Sequence, residues 1–286
     1  MSAQLINGKA IAAEKRKAMI AQVELMKRKG TTPGLAVLLI GDHPASVSYV
    51  KGKVSDCREV GIHSQLIRLS GDITEAELLN QIHQLNVDRS IHAILVQLPL
   101  PSHISEQRVV QAISPEKDVD GFHPINIGRI VTGQPGFVSC TAAGILEMLK
   151  TIHLPIAGKH VVIVGRSNSV GKPVSLLFLS RDATVTVCHS KSKPLSLYTK
   201  QADLLIVAAG KASLIHADDI KPGAVVIDVG MNRNARGKLV GDVAFDEVKE
   251  KAGYLTPVPG GVGPMTRVML LENTLTAAMR QMEKGI

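Results

Sequence analysis

VVIVGRSNSVGKP, residues 161–173, reads as a strand that runs into a glycine-rich turn and then a helix, and it decides the fold of the second half of the chain. Gly165 allows the backbone to turn tightly, and Gly171 allows the helix to pack closely. Amides at the start of that helix can then hold a phosphate. The stretch departs from G-x-G-x-x-G, because Ser167 stands at the second glycine and Val170 at the third. Such a loop can also be an ordinary strand-to-helix connection, so its setting matters. Downstream lie three further apolar runs, ATVTVC (183–188), DLLIVAAG (203–210) and AVVIDVG (224–230). That order makes the segment a nucleotide-binding α/β unit. A unit that binds NAD usually carries a carboxylate at the end of the next strand, to take the ribose hydroxyls. Here the strand ends Cys188-His189-Ser190-Lys191, with no carboxylate. Arg166 can pair with a 2′-phosphate and Ser190 can hydrogen-bond it, which favours NADP.

Working toward the N-terminus, the same alternation recurs. Met19, Ile20, Val23 and Met26 follow a helical spacing that Gly30 closes. LAVLLI (35–40), QLIRL (65–69) and HAILVQL (92–98) read as buried strands, separated by helices near 45–60 and 75–85. Strands alternating with helices imply mostly parallel sheets covered on both faces. Between Ser114 and Ser139 no period is visible, and the stretch reads as a linker or an active-site segment. A Pro/Gly loop, TPVPGGVGPMT (256–266), feeds a last helix expected to start near Pro264.

The composition excludes several classes. Of 286 residues, 45% are hydrophobic and 20% charged, which is ordinary globular chemistry. The longest apolar runs reach six residues, whereas a membrane span needs roughly 20. The first 20 residues lack the uninterrupted apolar core of a secretory signal, and a cytoplasmic protein is expected. The net charge of +8 suits anionic ligands, but the cations are scattered and aromatics make up only 2%, so no nucleic-acid partner is expected. Cys57, Cys140 and Cys188 have neither disulfide nor zinc spacing, and no metal site is expected.

Four further segments carry candidate chemistry. In ASVSYVKGKVSDC (45–57), Val47, Val50, Val54 and Cys57 define a buried stripe, while Ser46, Tyr49, Lys53 and Asp56 form a separate ridge. Tyr49 and Lys53, at i and i+4, can offer a ring to a planar substrate beside an amine that handles protons, or can be a plain surface pair. VQLPLP (96–101) ends a buried strand in Gln97, and ligands of open α/β sheets collect at strand carboxyl ends. In PEKDVDGFHP (115–124), Asp118 and Asp120 would point to opposite sides if extended, and a capped turn is the plainer reading. The loop at 256–266 resembles a rigid wall that lets a ligand approach the backbone.

Taken in order, Tyr49-x-x-x-Lys53, VQLPLP, KDVDGFHP, GRSNSVGKP and PVPGGVGPMT resemble the bifunctional methylenetetrahydrofolate dehydrogenase/methenyltetrahydrofolate cyclohydrolase family over essentially the whole chain. The resemblance implies an N-terminal α/β catalytic domain (1–138 plus 264–286) and a Rossmann-type NADP-binding domain (139–263), with the C-terminal helix returning to the first. It also implies that folate lies in the cleft between domains and that the protein is a homodimer acting on tetrahydrofolate derivatives. By the same resemblance, Lys53 transfers protons and Gln97 orients it. Tyr49 stacks on the aminobenzoyl ring and Asp120 anchors the pterin, with Asp118 a weaker candidate. Pro99, Gly260, Gly261 and Pro264 shape the folate slot, and Gly165, Arg166, Ser167, Ser190 and Met231 contact NADP.

Overall fold

Every residue from Gly34 to Ile40 is buried, as a strand covered on both faces must be. In the computed structural model, which describes residues 2–284, this strand is β2. The chain begins with β1 (Gln4–Leu5) and α1 (Gly8–Arg28), followed by β2 (Gly34–Ile40), α2 (Pro44–Val60), β3 (His63–Leu69) and α3 (Glu75–Val87). β4 (Ala93–Val96), α4 (Glu106–Ala112), α5 (Pro124–Val131) and α6 (Cys140–Thr151) come next. The second alternating series is β5 (His160–Val164), α7 (Gly171–Leu179), β6 (Thr184–Cys188), α8 (Ser196–Thr199), β7 (Leu204–Val207) and β8 (Val225–Asp228). Short elements β9 (Asn232–Arg233), β10 (Leu239–Val240), α9 (Phe245–Lys249) and β11 (Tyr254–Leu255) lead to α10 (Val262–Glu283).

Two compact units divide the chain. The first holds residues 13–140 together with the chain from Arg267 onward. Its sheet is parallel, in the order β3-β2-β4, with Leu35 opposite both Ser64 and Ala93. Ala36, Leu38 and Ile40 share one cluster with Leu78 and Ile82 of α3 and Val109 of α4. Local signals set the helices. Pro44 opens α2 and Gly61, at φ +85°, ends it, while Thr74 and Glu77 form a reciprocal capping box on α3. Past Arg267, α10 belongs to this unit, where Asn273 donates to the Val119 carbonyl (2.8 Å) and Gln281 to that of His92 (2.9 Å).

The second unit holds residues up to Ala12 and 141–266. Its main sheet has six strands, all parallel, in the order β1-β11-β8-β7-β5-β6, and β9 and β10 form a separate antiparallel pair. The chain leaves β5 toward β6 and then crosses back to β7, so the order reverses at β5, where such sheets bind ligands.

Three sequence expectations need correction. Residues 1–12, expected in the N-terminal domain, instead give β1, which pairs with β11 in the nucleotide-type sheet. Two-residue strands carry no readable period. The stretch 114–139 is not without structure, because α5 lies in it. Its buried positions are Asn126 and Ile130, and a polar residue on the inner face hides the helical pattern. The last helix starts at Val262 rather than near Pro264. Leu38 is fully buried in the middle strand of the first unit. Leu38→Ala is expected to lower stability by about 2–5 kcal/mol in a urea titration; a midpoint unchanged from wild type would refute this placement.

Candidate functional site

Helix α2 turns an unusual face inward. Ser46, Val50, Lys53, Asp56, Cys57 and Val60 are buried, whereas Val47 and Val54 are only half-buried. Most of the polar ridge is therefore buried alongside the apolar stripe. A buried ammonium requires acceptors. Lys53 Nζ donates to Gln97 Oε1 at 3.1 Å and lies 5.9 Å from the centre of the Tyr49 ring. Gln97 reaches it because β4 stops at Val96, so Gln97 stands at the strand's carboxyl end. Its amide still donates to the Leu38 carbonyl (2.9 Å), and its Nε2 donates to the Leu98 carbonyl (2.7 Å). With both carboxamide ends engaged, the oxygen is aimed at the lysine. Pro99 follows a cis peptide bond and is exposed. Beneath this cluster Arg267 Nε sits 3.1 Å from Asp56 Oδ2, an ion pair without hydrogen-bond geometry. Burial pushes the Tyr49 hydroxyl up, and the Arg267 charge opposes that shift.

The two aspartates of KDVDGFHP separate. Asp118 accepts from the amides of Phe122 (3.3 Å) and His123 (2.8 Å) and from Asn126 Nδ2 (2.8 Å), so it ties the 118–126 turn to the start of α5. Burial raises its carboxyl, against those bonds. Asp120 has a different set of neighbours. Burial raises its carboxyl too; the Lys53 charge lowers it, Asp118 raises it, and a hydrogen bond with the Cys140 thiol lowers it. That thiol is also 3.2 Å from the Val119 carbonyl, and its single proton serves one acceptor at a time. Lys53, Tyr49, Gln97 and Asp120 thus form one constellation. Cys140 and Asn273 are neighbours that sequence reasoning missed, because each is contributed by a distant helix.

In the second unit a cavity of about 570 Å³ opens at the ends of β5, β6 and β7. Gly165, Arg166, Ser167, His189 and Ser190 line it, with Lys193 and Lys211 adding two cations that the sequence reading did not single out. Lys211 follows DLLIVAAG directly, so the strand-end rule was the available signal. Two glycines let the backbone of the turn pack closely. Gly165 has φ +133°, and a Cβ there would meet the Ala208 carbonyl oxygen at 2.2 Å; one on Gly171 would meet that of Gly165 at 2.2 Å. Ser167 Oγ accepts from the amides of Val170 (3.1 Å) and Gly171 (3.4 Å), capping α7. The tight glycine turn and the three cations Arg166, Lys193 and Lys211 fit a phosphorylated dinucleotide. Met231, expected among the cofactor contacts, is exposed and does not line this cavity. Gly260, Gly261 and Pro264 fall in this second unit rather than with Lys53. Gly261 packs so closely on Gly8 that a Cβ on Gly8 would meet its carbonyl oxygen at 2.0 Å. Among the described residues, no group of three or more His, Cys, Asp or Glu could hold a metal ion.

A doubly wound sheet with a cationic crevice at its strand ends, joined to an α/β unit that buries a lysine against a carboxamide, defines a dinucleotide-dependent enzyme. Comparison with known proteins says which. Residues 6–120 match the family model described as tetrahydrofolate dehydrogenase/cyclohydrolase, catalytic domain, and residues 139–282 match the NAD(P)-binding domain of the same family. The bifunctional protein FolD of Anoxybacillus flavithermus is 59% identical over 281 residues, 98% of this chain and 99% of that protein. The crystal structure of the Campylobacter jejuni bifunctional FolD methylenetetrahydrofolate dehydrogenase/cyclohydrolase superposes with a TM-score of 0.97 at 50% identity, covering 98% of this chain and 100% of that one. The Trypanosoma brucei dehydrogenase-cyclohydrolase, complexed with NADP and an inhibitor, gives 0.94 at 38% identity, covering 99% of each. The chain belongs to the tetrahydrofolate dehydrogenase/cyclohydrolase family.

Gly165→Ala forces a side chain into a left-handed backbone position against carbonyl oxygen. It should cost at least about 2 kcal/mol in chemical unfolding. Wild-type stability in that variant would contradict the cradle geometry.

Proposed function

We propose that this protein oxidises 5,10-methylenetetrahydrofolate with NADP+ to the 5,10-methenyl form and hydrolyses that product to 10-formyltetrahydrofolate. The observation that carries the reading is the buried Lys53, held by Gln97 and electrostatically coupled to Asp120, in a chain that also carries a cationic dinucleotide cavity. Bound NADP+ supplies the hydride acceptor of the first step. That step asks the protein for alignment rather than for a strong acid or base. Tyr49 offers its ring to the aminobenzoyl group, and Asp120 accepts hydrogen bonds from the pterin amino and ring N–H groups. Pro99, Gly260, Gly261 and Pro264 shape the folate slot.

Hydrolysis asks for proton movement. Water adds to the cationic methenyl carbon and loses a proton. The bond from that carbon to N5 then breaks as N5 gains a proton and the hydroxyl loses its own to become the formyl C=O on N10, with one proton released overall. Lys53 moves these protons, and Gln97 fixes where its nitrogen sits. On the dinucleotide side, Arg166 and Ser190 take the 2′-phosphate, Ser167 and Gly165 present the turn, and Met231 contacts the cofactor outside the cavity. The family resemblance further supports a homodimer formed through the nucleotide-binding units. A cytoplasmic location fits the absence, among the described residues, of any helix long and apolar enough to cross a membrane.

The test is a spectrophotometric assay with 5,10-methylenetetrahydrofolate and NADP+ or NAD+, with decay of added methenyltetrahydrofolate followed separately. Absence of both activities in folded protein would overturn the assignment. Lys53→Met should lower the hydrolysis rate by about 10²-fold or more while dehydrogenase activity survives; full hydrolysis would remove the proton-transfer role. Arg166→Ala should raise KM for NADP+ about tenfold or more and leave that for NAD+ nearly unchanged, and equal increases would count against 2′-phosphate recognition.

A further inference from the structure

Two buried carboxylates stand near the ends of β7 and β8, and the chemistry above uses neither. Asp242 has no exposed surface and accepts four hydrogen bonds. Its Oδ2 takes the amides of Ala209 (2.6 Å) and Gly210 (2.9 Å). Its Oδ1 takes the amide of Lys211 (2.8 Å) and Nδ2 of Asn232 (2.8 Å). Asp228, the last residue of β8, treats Asp242's own segment in the same way. Its Oδ1 accepts from the amides of Gly230 (2.9 Å) and Asp242 (2.9 Å), and its Oδ2 from that of Val243 (3.0 Å). The Asp228 amide donates to Thr256 Oγ1 at 2.7 Å. Glycines make room, since a Cβ on Gly241 would meet Asp228 Oδ2 and one on Gly230 would lie 2.4 Å from Asp242 Oδ1.

Burying two like charges side by side is unfavourable, and Asp228 records it. Burial pushes its carboxyl up to about 6, with the Asp242 charge adding to the rise and the three amides opposing it. Because this value lies above that of an unfolded aspartate, Asp228 contributes stability at low pH that is lost as the pH rises through about 6. What the arrangement yields is order in one loop. Three consecutive amides converging on one point form an anion nest, and here the protein's own Asp242 fills it. Ala208, Ala209 and Lys211 line the cavity, facing the Gly165 turn across the close contact at the Ala208 carbonyl.

We infer that Asp242 is a positioning residue for the dinucleotide. By occupying the 209–211 nest it fixes one wall of the cavity and the start of the Lys211 side chain before the ligand arrives, and Asp228 holds Asp242 in register. The ligand, a phosphorylated pyridine dinucleotide, then binds without the cost of ordering that loop. The inference rests on the NADP reading above.

Asp242→Asn keeps the size but turns an amino group toward amides that need an acceptor. In the full-length protein, the Kd and KM for NADP+ should rise about tenfold or more. At saturating NADP+, kcat should stay within about twofold of wild type, as should hydrolysis of methenyltetrahydrofolate measured without dinucleotide. A Kd within about twofold of wild type would overturn the inference, as would parallel loss of both activities with a lowered melting temperature, which marks a general structural role. Should Asp242→Asn fail to fold, Asn232→Leu removes one donor and leaves the carboxylate. A rise of about threefold in Kd supports the inference, and parity with wild type overturns it. If wild-type protein itself fails to bind NADP+, the functional reading falls with it, whereas normal wild-type binding with an unchanged variant removes only the positioning role.

Discussion

An ammonium taken out of water on the inner face of a helix must be met by oxygen, and Lys53 imposes that demand on the first unit. Its neighbours on the same face, Val50 and Cys57, fix how deep the helix sits. The acceptor has to come from across the sheet, so β4 ends one residue early and Gln97 turns its carboxamide oxygen to the lysine. A second, negative group has to come from the loop after α4. The turn there can supply two carboxylates, and it uses them differently: Asp118 is consumed by donors of its own turn, leaving Asp120 to the lysine's field. Cys140 and Asn273 then hold the Val119 carbonyl beside Asp120, which ties α6 and α10 to the same cluster.

The second unit solves the opposite problem. Its ligand is anionic, and the sheet delivers many amide donors to the ends of its parallel strands. In the Gly165–Gly171 turn Ser167 Oγ takes the Val170 and Gly171 amides, and the donors after β7 and β8 are satisfied by Asp242 and Asp228. Arg166, Lys193 and Lys211 make the crevice receptive to phosphate, while the two carboxylates make one of its walls rigid.

Much of this was legible in the sequence, and the misses share physical causes. Long strands and helices carry periods, so β2, β3, β5 and α1–α3 could be read within a few residues of their bounds. Two-residue β1 and β11 carry none, and the assignment of residues 1–12 failed with them. Helix α5 hides because Asn126, on its inner face, spends its side chain on the Pro115 carbonyl and Asp118. In α2 the reading chose valines for the core, yet Val47 and Val54 are only half-buried while Ser46, Lys53 and Asp56 go inside. Hydrophobicity cannot foresee a polar residue that is buried because partners from other elements wait for it. The same limit explains why Cys140, Asn273, Lys193 and Asp242 escaped notice, since each acts on groups far away in sequence or belongs to no motif.

The titrating groups around Lys53 also narrow what each can do. Burial raises the Tyr49 hydroxyl above its already alkaline range, so at neutral pH it is an uncharged ring with a hydroxyl and not a base. The Cys140 thiol is pushed well above its ordinary value, chiefly by burial and then by the Asp120 charge, and stays protonated. Asp118 has its oxygens committed to three donors. Burial raises the Asp120 carboxyl above its ordinary value, with the Lys53 charge and the Cys140 thiol opposing that rise and Asp118 adding to it. That leaves Lys53, fixed in position by Gln97, for the proton transfer proposed above. Its bond to Gln97 uses one of the three protons of the ammonium form, so the remaining capacity can face substrate. An arrangement built only for stability would have replaced the buried lysine with a hydrocarbon side chain, which costs nothing to desolvate. Retaining it, with an acceptor and a carboxylate drawn from separate elements, is the arrangement that the proton transfer proposed for the second step calls for.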